Sequence, residues 1–174
     1  GGAPDAEFAG AQADLDAVLA AQPGWGQALV TRGMLHNNAA RWRHRRGQDA
    51  EESFRAAIAD YDGAAAQAPE DGSILVRRAN ARNNWGAWLK DTGRSPVEHY
   101  LAGLADLEKA VARAPNDPDA WSRTGDVCLN LGTWRQLKGE AAADLYERGA
   151  AAYGKALERA PRSYPAWFRR GWLR

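Results

Sequence analysis

Apolar and small side chains recur along this chain with the period of a helix and without the alternation of a strand. Between Ala142 and Ala160 the stripe Tyr146, Gly149, Tyr153 and Ala156/Leu157 advances by three or four residues, which keeps it on one helical face. The same stripe stands upstream as Tyr100, Gly103, Leu107 and Ala110/Val111, as Phe54, Ala57, Tyr61 and Ala64/Ala65, and as Phe8, Ala11, Leu15 and Val18/Leu19. A different helix precedes each of these. In the segment after Pro115, Asp117-Pro118 forms an N-cap and first-turn pair, because the Asp oxygen accepts from orphan backbone donors and proline has no N–H to lose. Trp121, Val127, Leu131 and Trp134 continue that helix until Gly139 supplies a left-handed stop, a run of about 20 residues or ~30 Å. Ser95-Pro96 is expected to start a second helix in the same way.

The pattern has a longer period. Pro23, Pro69, Pro115 and Pro161 stand 46 residues apart, and the same interval aligns Gly47, Gly93 and Gly139, Trp42, Trp88 and Trp134, and Asn38, Asn84 and Asn130. One unit of two antiparallel helices, each of roughly 18 to 21 residues, is therefore repeated about 3.8 times. Gly33, Ala79, Gly125 and Gly171 in first helices, and Ala57, Gly103 and Gly149 in second helices, are expected at points of close helix approach. A single helix pair cannot bury such faces, but a stack can, so the expected fold is an all-α, right-handed α-solenoid. The expected organisation is one array over 1–174: a second helix at 1–22, units at 23–68, 69–114 and 115–160, and a first helix at 161–174. Gly1 stands in the register of Gly47, and Ala166 to Arg174 opens a further unit, so the array is expected to continue in a larger protein.

These residues resemble the tetratricopeptide repeat, whose unit carries Trp, Leu-Gly and Tyr in the first helix, then Ala, an aromatic residue, Ala and a final Pro. Trp121, Gly125, Gly149, Tyr153, Ala156 and Pro161 match in one unit, and Leu29, Gly33, Ala57, Tyr61, Ala64 and Pro69 in another. Trp167 and Gly171 open the next. The departures are Thr124 and Cys128 at the family's Leu and Tyr, and a unit of 46 residues where the family has 34. The excess falls between Gly125 and Gly149, which implies a variant with lengthened helices. The resemblance implies binding of extended peptides or helices on a concave surface lined by the first helices.

Composition narrows the function by exclusion. The chain has 174 residues, 45% hydrophobic and 26% charged, and a formal net charge of +1, so bulk charge favours neither nucleic acid nor membrane. No stretch is long and apolar enough for a membrane span, and a soluble location is expected, the cytoplasm ahead of secretion. His36, His44 and His99 show no metal-ligand spacing, and no nucleophile elbow or phosphate loop occurs, so no enzyme activity, metal or cofactor is expected. Cys128, within DVCLNL, reads as an inert core thiol. Most of the eight Trp residues read as core, with Trp25 and Trp172 as exposed exceptions. The run RWRHRR from Arg41 to Arg46 reads first as a solvated face complementing a helix C-terminus.

Distribution of charge says more than its sum. First-helix segments hold 16 of the 23 Lys and Arg but 6 of the 22 Asp and Glu, which predicts a basic wall and an acidic one. On the first helices, Arg77, Asn80, Asn84 and Ala87 share a face, with register equivalents Thr31, Met34, Asn38 and Arg41, then Arg123, Asp126, Asn130 and Thr133, then Arg169 and Trp172. Asn carries donor and acceptor together and can pair with both backbone groups of an extended peptide. The candidate binding residues are therefore Asn38, Asn84 and Asn130 as a ladder that grips ligand backbone, Arg77, Arg123 and Arg169 selecting acidic side chains or a terminal carboxylate, and Asn80 and Arg41 on the same face. The same ladder has a purely structural reading, as hydrogen bonds between neighbouring units. The expected function is a protein-interaction scaffold for an acidic peptide or protein segment. The alternatives are a module that self-associates end to end, and an RNA-binding helical repeat, which the acidic second helices disfavour.

Overall fold

A computed structural model describes residues 4–173 and, among them, consists of helices joined by short turns, with no strand. In chain order these are α1 (Pro4–Ala21), α2 (Gly26–Arg45), α3 (Glu51–Gln67), α4 (Gly72–Asp91), α5 (Val97–Arg113), α6 (Pro118–Leu137), α7 (Ala143–Arg159) and α8 (Tyr164–Trp172). The expected positions of Gly1 and Arg174 lie outside the described residues. Helices α2, α4 and α6 have 20 residues each, and α3, α5 and α7 have 17. None is long and apolar enough to cross a membrane.

The recurring prolines and glycines make the two kinds of corner. Each proline is the second residue of a tight turn closed by a backbone hydrogen bond: Trp25 to Gln22 (3.1 Å), Asp71 to Ala68 (3.0 Å), Asp117 to Ala114 (3.1 Å) and Ser163 to Ala160 (3.0 Å). Its fixed φ suits that position. Asp71 and Asp117 then cap the next helix, each Oδ1 accepting from the backbone N–H two residues on at 2.9 Å. At the other corner Gly47, Gly93 and Gly139 adopt φ of 69°, 78° and 73°. The residue after each glycine donates back across it, Gln48 to Arg43 (3.0 Å), Arg94 to Leu89 (2.8 Å) and Glu140 to Arg135 (2.9 Å), which completes a Schellman stop.

One expected start is corrected. Helix α5 begins at Val97 with Pro96, not Ser95, as its flanking residue, and no side chain caps it. The Pro96 carbonyl already accepts from Tyr100 N–H at 3.1 Å, so the locked ring begins the helix geometry and Ser95 falls outside it.

Packing alternates small and large. Gly125 lies so close to the ring of the fully buried Tyr153 that a Cβ there would stand 2.6 Å from Tyr153 Cζ. The register equivalents show the same exchange of volume: Gly33 faces Tyr61, whereas the unit between has Ala79 and Leu107, both fully buried. Gly171 differs from the expectation of close approach, since nothing lies within 4 Å of a Cβ built on it. Its helix, α8, packs on α7 among the described residues, and Gly171 is turned away from that contact.

Helices α2, α4 and α6 each pack on the second helix of their own pair and on the one preceding it, and α8 packs on α7. Helix α4 also packs directly against α2 and α6, while no comparable packing joins α3 to α5 or α5 to α7. Elements spaced closely on one side and widely on the other form a curved stack. The first helices therefore line the inner side of this α-solenoid of helix pairs.

Candidate functional site

The inner faces of α2, α4, α6 and α8 enclose a groove of about 660 Å³. Six of the eight candidate residues line it: Arg41, Asn80, Asn84, Arg123, Asn130 and Arg169. Arg77 lines a smaller adjoining crevice of about 170 Å³ with Asn80 and Arg123. Asn38 is exposed and lines neither. Asn83, Leu129 and Phe168 belong to the groove although the shared face drawn from the sequence omits them.

The asparagines bond to one another across units, in a register shifted by one residue. Asn84 Nδ2 donates to Asn37 Oδ1 at 3.1 Å, and Asn130 Nδ2 donates to Asn83 Oδ1 at 2.9 Å. The partners are 47 residues apart, not 46, because the adjoining helix presents the neighbouring position of its face. Asn37 is buried, where an unpaired amide would be costly, so these bonds satisfy polar groups within the stack. The structural role of the ladder is thus present. Each donating amide has a further N–H and its carbonyl oxygen, which these two bonds do not use.

The arginines reach back to the preceding first helix. Arg77 Nη1 lies 3.1 Å from Met34 Sδ, Arg123 Nη1 donates to Asn80 Oδ1 at 3.2 Å, and Arg169 Nη1 pairs with Asp126 Oδ1. Asp126 also accepts from Tyr153 Oη at 2.6 Å and lies 3.8 Å from Arg123. Arg123 further bonds Asp119 at 3.2 Å. Burial and the neighbouring carboxylate push the Tyr153 hydroxyl well above its ordinary range, so it stays a donor to Asp126. No hydrogen bond or ion pair holds Arg41 among the described residues. The groove therefore contains three arginines and one aspartate, with polar amides as its floor and Phe168 and Trp172, 75% and 66% exposed, at the α8 end.

Outside the groove, the segregation of charge is largely consumed within the stack. Asp60 is buried and accepts from Arg32 Nε at 3.1 Å and Nη2 at 2.6 Å, while Arg32 also pairs with Asp16 at 2.7 Å. One unit on, buried Asp106 accepts from Arg78 at 2.9 and 2.5 Å and from Arg82 at 2.7 Å. These bonds raise the guanidinium pKa of Arg32 and Arg78 further. Arg94 and Arg135 pair with Glu51 and Asp144. First-helix cations thus meet second-helix anions, and the count of basic residues overstates what the inner wall offers a partner. A signal was available: Arg32/Arg78 and Asp60/Asp106 repeat at the unit interval.

The tryptophans divide differently from the core expectation. Trp88 is buried, Trp25, Trp167 and Trp172 are exposed, and the others are half-buried. Several carry a cation on the ring: Arg46 over Trp42 at 4.9 Å, Lys138 over Trp134 at 4.6 Å, Lys155 over Trp121 at 4.1 Å and Arg170 over Trp167 at 4.4 Å. The basic run is engaged as well, with Arg46 on Trp42 and His44 Nε2 at 2.9 Å from Asp91. Cys128 is fully buried, and burial pushes its thiol up to about 11. No cluster of metal-ligating side chains occurs among the described residues.

The arrangement of helix pairs is similar to that of solved tetratricopeptide-repeat structures. The chain superimposes on a crystal structure of MamA protein with a TM-score of 0.67 and 16% identity, covering 98% of this chain and 73% of that one. It matches the first tetratricopeptide repeat of Spaghetti (RPAP3) bound to the HSP90 peptide SRMEEVD with a TM-score of 0.53 and 16% identity, over 83% and 91% of the two chains. It also matches the NMR structure of the first such domain of human RPAP3 with a TM-score of 0.55 and 16% identity, over 81% and 88%. No protein-family model matches the chain, and no curated protein matches it in sequence. At this identity the likeness is one of fold.

Proposed function

We propose that this chain is a protein-interaction scaffold that holds an extended acidic segment of another protein in the inner groove. The observation that carries the reading is the convergence in one groove of Arg41 and Arg123 with the paired amides of Asn84 and Asn130, with Arg77 in the crevice that adjoins it through Asn80 and Arg123. Arginine forks match carboxylates, and amides with spare donor and acceptor capacity match a peptide backbone. The RPAP3 domain of similar fold is bound to SRMEEVD, a peptide with three acidic residues, which supports the class of partner. In this reading 23–68, 69–114 and 115–160 are three lengthened versions of the tetratricopeptide unit within one array.

The test is fluorescence anisotropy with a labelled oligo-glutamate peptide of about ten residues. Arg41→Glu and Arg77→Glu together should weaken binding by at least about tenfold, since charge-assisted hydrogen bonds contribute about 1.5–3 kcal/mol each. Helicity and thermal midpoint should stay unchanged, because neither side chain holds another element by an ion pair. Unchanged affinity in the double variant would remove the reading. A single-stranded RNA of similar length that binds more tightly than the peptide, with a steep salt dependence, would replace it by the RNA reading.

A further inference from the structure

The outer side of the stack has an opening that the regular units close. Consecutive second helices are too widely spaced to pack on each other, and the gap between them is crossed from the first helix beneath. Arg32 of α2 bonds Asp16 of α1 and Asp60 of α3, and Arg78 of α4 bonds Asp62 of α3 and Asp106 of α5. The equivalents one unit on are Thr124, Glu108 and Ala152. Thr124 is short, and its hydroxyl donates to the Ala120 carbonyl of its own helix at 2.9 Å, so no cation of α6 crosses the gap between α5 and α7. What is left there is a slot of about 290 Å³. Val111 of α5, Trp121 of α6 and Ala151 and Ala152 of α7 give it apolar walls, with Thr124 beside them. Glu108 keeps a partner, because Arg148, standing where the other units have Ala56 and Ala102, donates to it at 2.7 Å. The bridge between second helices has thus moved from the interior to the exposed rim. Lys155 is the remaining charge at the slot, with Nζ 4.1 Å from the Trp121 ring centroid and no carboxylate paired with it among the described residues.

We propose that this outer slot binds a small aromatic carboxylate, with its rings against Trp121, Val111 and Ala151 and its carboxylate on Lys155. The size follows from the volume: an apolar cavity of about 150 Å³ admits benzene, so about 290 Å³ admits a body of two fused rings. The sign follows from the rim, where Arg148 and Glu108 cancel and Lys155 is left uncompensated beside apolar walls that weaken its screening. Indole and alkyl walls with one orienting charge are the usual make-up of a small-molecule site. None of the residues that line the slot lines the inner groove, so this ligand is independent of the peptide proposed there.

The experiment titrates the full chain with 2-naphthoate and follows the Trp121 indole N–H by proton–nitrogen correlation NMR, its signal assigned by its loss in Trp121→Phe. A ligand of this size should bind with a dissociation constant of about 1 mM. Lys155→Met should weaken 2-naphthoate by about fivefold or more and change the neutral isostere 2-naphthalenemethanol by less than about twofold, as expected for one lost charge-assisted contact. Ala151→Phe fills the slot from an exposed position and should weaken acid and alcohol alike by at least about tenfold, with helicity and thermal midpoint unchanged. Thr124→Arg with Ala152→Asp, which copies the preceding unit, should have the same effect on both ligands. A Trp121 signal that stays in place at about 10 mM 2-naphthoate, or binding that Ala151→Phe leaves intact, would overturn the site. Equal weakening of acid and alcohol by Lys155→Met, or tighter binding of 2-naphthylmethylamine through Glu108, would overturn the ligand class.

Discussion

Removal of the buried carboxylate of Asp106 should destabilise the stack strongly although it deletes only a small polar side chain. Its side chain is 3% exposed and takes hydrogen bonds from Arg78 at 2.9 and 2.5 Å and from Arg82 at 2.7 Å, with the two guanidinium side chains 15% and 20% exposed. Asp106→Ala leaves two half-buried cations behind. Breaking a buried pair from one side costs about 3–5 kcal/mol. Arg78 keeps half-exposed Asp62 at 2.6 Å and Arg82 keeps the Ala102 carbonyl at 3.1 Å, so the lower end, about 3 kcal/mol, applies. For a domain of this size that lowers the thermal midpoint by roughly 6–12 °C. The chain carries its own control, because the unit after this one has Thr124, Cys128 and Ala152 where Arg78, Arg82 and Asp106 stand, and it packs without the ion pairs. The triple variant Arg78→Thr, Arg82→Cys and Asp106→Ala should therefore recover most of the loss. Arg55→Ala, which breaks only the exposed pair with Glu51, should cost no more than about 0.5 kcal/mol. Urea and thermal unfolding followed by circular dichroism measure all three. An Asp106→Ala cost below about 1 kcal/mol, or a triple variant less stable than the single one, would refute the reasoning.

Gly125→Ala puts a methyl group against the Tyr153 ring and should cost about 1–3 kcal/mol despite alanine's better helix propensity. Adding Tyr153→Leu copies the Ala79/Leu107 pairing of the preceding unit and should restore most of it, as read by the urea midpoint. Cys128, buried with its thiol pushed up to about 11, should resist a thiol-reactive disulfide reagent at pH 8 in the folded protein. It should react at once in guanidinium chloride, where its pKa returns to about 8.5, and rapid labelling of the native chain would contradict this burial.

What the sequence made legible and what it hid differ in physical kind. The period, the corners and the exchange of Gly for Tyr are local facts: Pro115 sets its own φ, Gly139 alone tolerates its own, and Gly125 makes room for Tyr153 of the same pair. Each could be read from one unit and checked in the next. The asparagine ladder is not local. Aligning Asn38, Asn84 and Asn130 places them on equivalent faces, but which atom of the neighbour they meet depends on the rotation from one unit to the next. That rotation brings Asn84 to Asn37, a shift of one residue and so about 100° around the helix. Charge is the second instance. Counting residues assigns cations to one wall and anions to the other, yet adjacent walls of opposite sign neutralise each other, and Arg32 and Arg78 turn towards Asp60 and Asp106 instead of the groove. Under the proposed reading, what remains for a partner is set by the exceptions to the repeat: Arg41 in place of Ala87 and Thr133, and Met34 where the later units have Asn80 and Asp126. In an array whose regular positions hold the units to one another, the positions that break the period are the ones left to distinguish the partner proposed above.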